Sequence, residues 1–121
     1  MSRRGARRSA LFALYKWDLT GNLELDPEAD DYTRSTVAGV QADAADLDAR
    51  ITASAEGWTA DRLGVVERNV LRIAIYEIET GAAPVEVAID EAVTLAKRYA
   101  SEDAGRLVNG ILGRVAREHA A

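Results

Sequence analysis

Apolar residues in this chain return every three or four positions, the step of a helix, and no segment alternates in the two-residue step of a strand. That property confines the fold to helices packed on helices, in one bundle-like all-α domain of five to seven helices. The clearest period runs from Pro84 to about Ala100, through Val85, Ala88, Ile89, Ala92, Leu95, Ala96 and Tyr99. Pro84 suits a first-turn position, where its missing N–H and fixed φ cost nothing. Ser101, followed by Glu102 and Asp103, reads as the N-cap of a last helix whose apolar face is Leu107, Val108, Ile111, Leu112 and Val115.

Upstream, the segment Val65 to Ile78 carries Val66, Val70, Ile73 and Tyr76 or Glu77 on one face, and Leu71, Ile75 and Ile78 widen that face to what a central helix needs. Gly81 ends it. Leu11, Leu14 and Tyr15 mark a first helix from about Arg3 or Arg8 to Leu19, stopped near Thr20-Gly21-Asn22. The acidic stretch from Asn22 to Asp31, with Pro27, is a loop. A thinner stripe of Tyr32, Thr36, Val40, Ala44, Leu47 and Ile51 predicts a single helix from about Glu28 to Ala55, broken at Gly57. Thr59 is placed to accept backbone N–H bonds as the N-cap of a short helix around Asp61.

At 121 residues the chain fits one domain with one sizeable core. No apolar run approaches the roughly 18 residues of a membrane span, and no apolar segment follows the N-terminal arginines as a secretory signal requires, so a cytoplasmic address is expected. The chain has no cysteine, which closes disulfides, thiolate zinc sites and cysteine nucleophiles. Its one histidine, His119, reads as a frayed surface residue and not a general base. The carboxylates Asp30-Asp31 and Glu77/Glu79 lack the oxygen-ligand spacing of a calcium loop, and the glycines form no phosphate cradle. Hydroxyls such as Ser9 and Ser54 have no activating base in view. A non-enzymatic chain without metal or cofactor is the expectation.

The net charge of -5 is unevenly spread. Residues 1–17 hold five bases and no acid, whereas residues 18–61 hold eleven acids against Arg34 and Arg50. A body this acidic repels a polyanion, so any nucleic-acid contact must use a local patch. The arm of about residues 1–8 is that patch: Arg3 and Arg7, and likewise Arg4 and Arg8, stand four residues apart and form two adjacent ridges suited to a phosphate backbone. Such segments often order only on RNA, which fits a head without apolar anchors before Ala6. A solvated tail is the plain alternative. Membrane insertion lacks the apolar face it needs.

Four collinear blocks resemble the NusB family of bacterial antitermination factors. Arg3-Arg4-Gly5-Ala6-Arg7 through Ala13-Leu14-Tyr15-Lys16-Trp17 is similar to that family's arginine motif and first helix. Val66-Glu67-Arg68-Asn69-Val70-Leu71-Arg72-Ile73-Ala74-Ile75-Tyr76-Glu77 is similar to its central helix. Pro84-Val85-Glu86-Val87-Ala88-Ile89-Asp90-Glu91-Ala92-Val93 with Leu95-Ala96-Lys97, and Leu107-Val108-Asn109-Gly110-Ile111-Leu112, resemble its last two. The resemblance implies two small helical subdomains and binding to the boxA element of nascent ribosomal RNA. It also implies a ribosomal-protein partner, NusE, and through the complex RNA polymerase and other Nus factors. Monomer and homodimer both stay open, since such a family is expected to include both.

Carried over by residue, the resemblance implies RNA contacts for Arg3, Arg4 and Arg7, extended by Arg8, and for Asp103 and Arg106; it assigns Tyr15 and Glu67 to the protein partner. The residues allow plainer readings beside these. Asp103 suits the N-terminal amides of its helix, Tyr15 lies on the apolar stripe and suits the core, Glu67 can pair with Arg68, and Asn109 suits a buried hydrogen-bonding role. Two positions depart from the family pattern. Leu107 stands where phenylalanine is common, removing base stacking worth about 1–3 kcal/mol. Gly5 loosens the head of the helix by roughly 1 kcal/mol relative to alanine. Two other functions stay open at this level: a recognition domain like those attached to ribosomal RNA methyltransferases, and a purely structural interaction protein.

Overall fold

The computed structural model describes residues 2–120, so Met1, which belongs to the expected arm, and Ala121 lie outside the described residues. Six α-helices and one short 3-10 turn account for the fold, and no strand occurs among the described residues. They are α1 (Arg3–Thr20), α2 (Asp31–Ala42), α3 (Ala44–Ser54), the 3-10 turn Ala60–Arg62, α4 (Val65–Thr80), α5 (Val85–Tyr99) and α6 (Glu102–Ala120). The central role expected for the Val65–Ile78 segment holds: α4 touches each of the other five helices. It is accordingly buried nearly all round, with Val70, Leu71, Ile75 and Ile78 almost wholly removed from solvent. Each such side chain contributes about 1.5–3 kcal/mol through burial.

Local signals account for most helix ends. Ser2 caps α1 by accepting the Gly5 N–H at 3.0 Å, and Gly21, at φ 79°, closes the other end in the left-handed conformation. Asp30 caps α2 through the Thr33 amide at 2.9 Å, and those hydrogen bonds hold its carboxyl below the usual carboxylate range. Ser101 caps α6 through the Ala104 amide at 3.0 Å. The loop between α1 and α2 is pinned by Arg34, whose guanidinium donates to the carbonyls of Asp26, Pro27 and Ala29.

Three expectations are corrected. The segment 28–55 is two helices, because Asp43 leaves helical geometry at φ -108°, ψ 15°. On the α2 side of that bend, α2 lies flush on α4 at Gly39, where an added Cβ would collide with the Tyr76 ring. Thr59 is extended but makes no capping bond; the Ala60 amide donates instead to Thr52 Oγ1 at 2.9 Å, and the Thr59 side chain serves Asp61, lowering that carboxyl's pKa. The head, finally, is continuous with α1. Gly5, Ala6 and Arg7 are buried, held by the Ser2 cap, an ion pair and the Thr33 hydroxyl, which donates to the Ala6 carbonyl at 3.3 Å, so polar anchors replace the missing apolar ones. No described helix is long and apolar enough to cross a membrane.

Candidate nucleic-acid interface

Packing divides the four arginines of the head. Arg7 follows the buried face that Leu11 and Leu14 continue, and its Nε donates to Glu77 of α4 at 2.9 Å and 3.2 Å. The Tyr32 hydroxyl of α2 donates to the same carboxylate. The expected ridge of Arg3 and Arg7 is therefore corrected: Arg7 is an interior residue, because Glu77 draws it inward. Arg3 lies outside, its Cζ 3.8 Å from the centroid of the Tyr32 ring, while Arg7 approaches that ring to 5.8 Å. Burial, then the hydrogen bond and charge of Glu77, push the Tyr32 phenol up to about 12.

Arg4 and Arg8 both face solvent. Arg4 reaches α5, where its guanidinium donates to Glu91 at 3.0–3.2 Å and has its pKa raised by that hydrogen bond and charge. Arg8 is exposed and forms no ion pair with a described residue. Eight residues further along both helices, Phe12 meets Tyr99 edge-on with ring centroids 5.1 Å apart. Arg4 over Glu91 and Phe12 over Tyr99 thus align α1 with α5 in the same direction, and Tyr99 is the last residue of α5, shortly before α6 begins.

There Asp103 and Arg106 form an exposed ion pair one turn apart. Ser101 supplies the side-chain cap of α6, so Asp103 is left to the surface. Asn109, one further turn along the ridge, is exposed, which corrects its expected interior role. The buried asparagine is Asn69. Its amide donates to the Val65 carbonyl at 2.9 Å and to Asp18 at 3.1 Å, and it accepts from Arg72 at 3.0 Å. His119 is exposed in the last turn of α6, and no described cluster of three His, Asp or Glu residues is placed to hold a metal ion.

The family model described as the NusB family matches residues 4–117. The chain belongs to the NusB family. Among its relatives, the transcription antitermination protein NusB of Bdellovibrio bacteriovorus is 36% identical, across 98% of this chain and 97% of that protein. The corresponding Rubrobacter xylanophilus protein is 40% identical, across 93% and 88%. The Thermotoga maritima NusB structure superposes with a TM-score of 0.89 at 36% identity, covering 100% of this chain and 94% of that one. A chain in a crystal structure of the antitermination factors NusB and NusE in complex with dsRNA has a TM-score of 0.83 at 30% identity, covering 96% of each.

The remaining positions singled out for this NusB-family chain lie away from the head. Tyr15 is 41% exposed, not core, and Phe12 and Leu19 share its outward stripe on α1 at 51% and 58%. A groove of about 690 Å³ opens beside Phe12, lined on α1 by Phe12 and Lys16 and across from it by Glu24, Asp26 and Glu28, of which Glu24 pairs with Lys16. Glu67 sits half-buried in the first turn of α4, its carboxylate folded over Gly64. Its suggested partner Arg68 goes elsewhere, donating to Asp18 at 2.9 Å. Asp18 also receives Arg72, which grips Asp48 of α3 through two bonds of 2.7 Å, so α1, α3 and α4 are tied at one point beside both residues. Burial alone would lower the Arg72 pKa; the hydrogen bonds and charges of Asp48 and Asp18 outweigh it and raise it.

Tyr32, Phe12 and the Asp18 junction escaped the sequence reading as functional positions. The charged residues Arg72 and Glu77, set inside the apolar run of α4, were the available signal.

Proposed function

We propose that this chain is a transcription antitermination factor that binds boxA-type RNA of nascent ribosomal transcripts together with the ribosomal protein NusE. The observation that carries the reading is the outward exposure of Arg3, Arg4 and Arg8 on an anionic helical body, and the exposed Asp103–Arg106 pair at the start of α6 would complete the RNA surface. The arginines supply phosphate affinity, and the Asp103–Arg106 pair and Asn109 offer donors and acceptors to base edges of a single strand. Three phosphate contacts correspond to a slope of log affinity on log salt of about -2, at about -0.7 per contact.

The apolar stripe of Phe12, Tyr15 and Leu19, with acidic residues in the groove beside Phe12, suits a basic ribosomal protein such as NusE, and Glu67, next in sequence to the Arg68 that bonds Asp18, would serve the same partner. The pair would then join RNA polymerase and other Nus factors. The role is binding without turnover. A homodimer that covers the arginine head would compete with RNA, and light scattering with and without RNA measures it.

The test is a titration of boxA-like and scrambled RNA at several salt concentrations, with and without NusE. Preferential, salt-sensitive binding strengthened by NusE is expected. Equal, salt-insensitive binding to both RNAs overturns the reading.

A further inference from the structure

Arg3 is the first residue of α1 and, on position alone, should be the freest of the head's cations. It is not free, because its guanidinium lies 3.8 Å above the centroid of the Tyr32 ring. We propose that Tyr32 is a positioning residue for RNA binding, its ring holding the Arg3 guanidinium at the rim of the head, where its N–H groups are presented to a phosphate. The proposal rests on the RNA-binding reading of the head and adds to it a residue in which sequence reasoning saw only part of an apolar stripe.

The ring is itself fixed on the inner side. Its hydroxyl donates to Glu77, which is buried and also holds Arg7, so α1, α2 and α4 all set the plane on which Arg3 rests. The two cations near the ring differ in consequence. Arg7 has its charge matched by Glu77, whereas Arg3 rests on a neutral face and forms no direct ion pair with a described residue. Asp30, the nearby cap of α2 that feels the charge of Arg3, is occupied with the Thr33 amide. An arginine side chain loses much rotational freedom when it grips a phosphate, and a stack formed beforehand removes part of that cost. The strength of a cation over an exposed aromatic face caps the gain from pre-ordering Arg3 at a factor of about two to five in affinity.

The experiment is a double-mutant cycle read by titration of a boxA-like RNA oligonucleotide, with Tyr32→Leu, Arg3→Ala, the double variant and Tyr32→Phe, each checked for helical content. Tyr32→Leu should weaken binding about two- to five-fold where Arg3 is present and change nothing where Arg3 is absent. Tyr32→Phe, which keeps the ring, should stay within two-fold of the unaltered protein. Equal losses from Tyr32→Leu in both backgrounds, or no loss in either, overturn the proposal, the first outcome marking Tyr32 as merely structural. A second measurement needs no variant: in the free protein the Arg3 side-chain proton resonances should be displaced upfield by the ring, and random-coil positions overturn the proposal even if Tyr32→Leu fails to fold. If those resonances are displaced but the unaltered protein ignores the RNA at low salt, it is the RNA-binding reading that fails, and the positioning role with it.

Discussion

Arg7 and Glu77 meet across 2.9 Å in the interior of the helical body, where their side chains are 5% and 1% exposed. An ion pair so placed adds little over a well-packed apolar pair, but removing one partner strands a buried charge at a cost of about 3–5 kcal/mol. Glu77→Leu should therefore unfold at markedly lower urea, while Arg7→Met combined with Glu77→Leu recovers most of the loss. Urea unfolding of the three proteins decides it. A double variant as unstable as Glu77→Leu alone would mean that the Tyr32 hydroxyl, which also depends on Glu77, carries the cost.

That same junction gives the protein an alkaline limit. Tyr32 keeps its proton in the folded state up to about 12, whereas in an unfolded chain a tyrosine loses it near 10. Between those values the unfolded state binds fewer protons, so stability falls as pH rises, and the contribution is whole below about 10 and gone above about 12. Subtracting the stability curve of Tyr32→Phe from that of the unaltered protein isolates this group. A flat difference across that window would show that neither burial nor Glu77 raises the phenol's pKa.

The arginines of the head should separate in the same way when probed with RNA. Arg8→Ala should leave stability unchanged and make the salt slope shallower by about 0.7, the loss of one phosphate contact on a single strand. Arg7→Ala should do the reverse, lowering the unfolding midpoint. Paired melts and titrations across salt concentrations give both numbers. An Arg8→Ala protein with an unchanged slope would remove Arg8 from the phosphate-binding set.

How much of this could be read in advance depended on how local the deciding interaction was. The ends of α1, α4 and α6 follow from Gly21, Gly81 and Ser101, each acting within a few residues, and they stand where the sequence put them. The bend at Asp43 carries no glycine or proline to announce it, and its neighbourhood is shaped by the close seat of Gly39 on Tyr76 in another helix. The head shows both cases. That it carries surface cations was legible from charge alone, but which arginine turns inward is set by Glu77, 70 residues away in the chain. A local hint did exist, since Arg7, Leu11 and Leu14 share one helical face.

Two asparagines that look alike in sequence should behave in opposite ways. Asn69 is buried at the Asp18 junction, bonded to Val65, Asp18 and Arg72. Replacing it with alanine leaves buried polar partners unmatched, a loss of about 1–3 kcal/mol. Asn109 stands exposed in the middle of α6, so Asn109→Ala removes a poor helix former from the surface and should raise stability by about 0.5 kcal/mol. The cost of its loss should appear in RNA titrations, as weaker discrimination between boxA-like and scrambled sequences. Urea unfolding of both variants separates the two cases, and a destabilised Asn109→Ala protein would return that residue to a structural role.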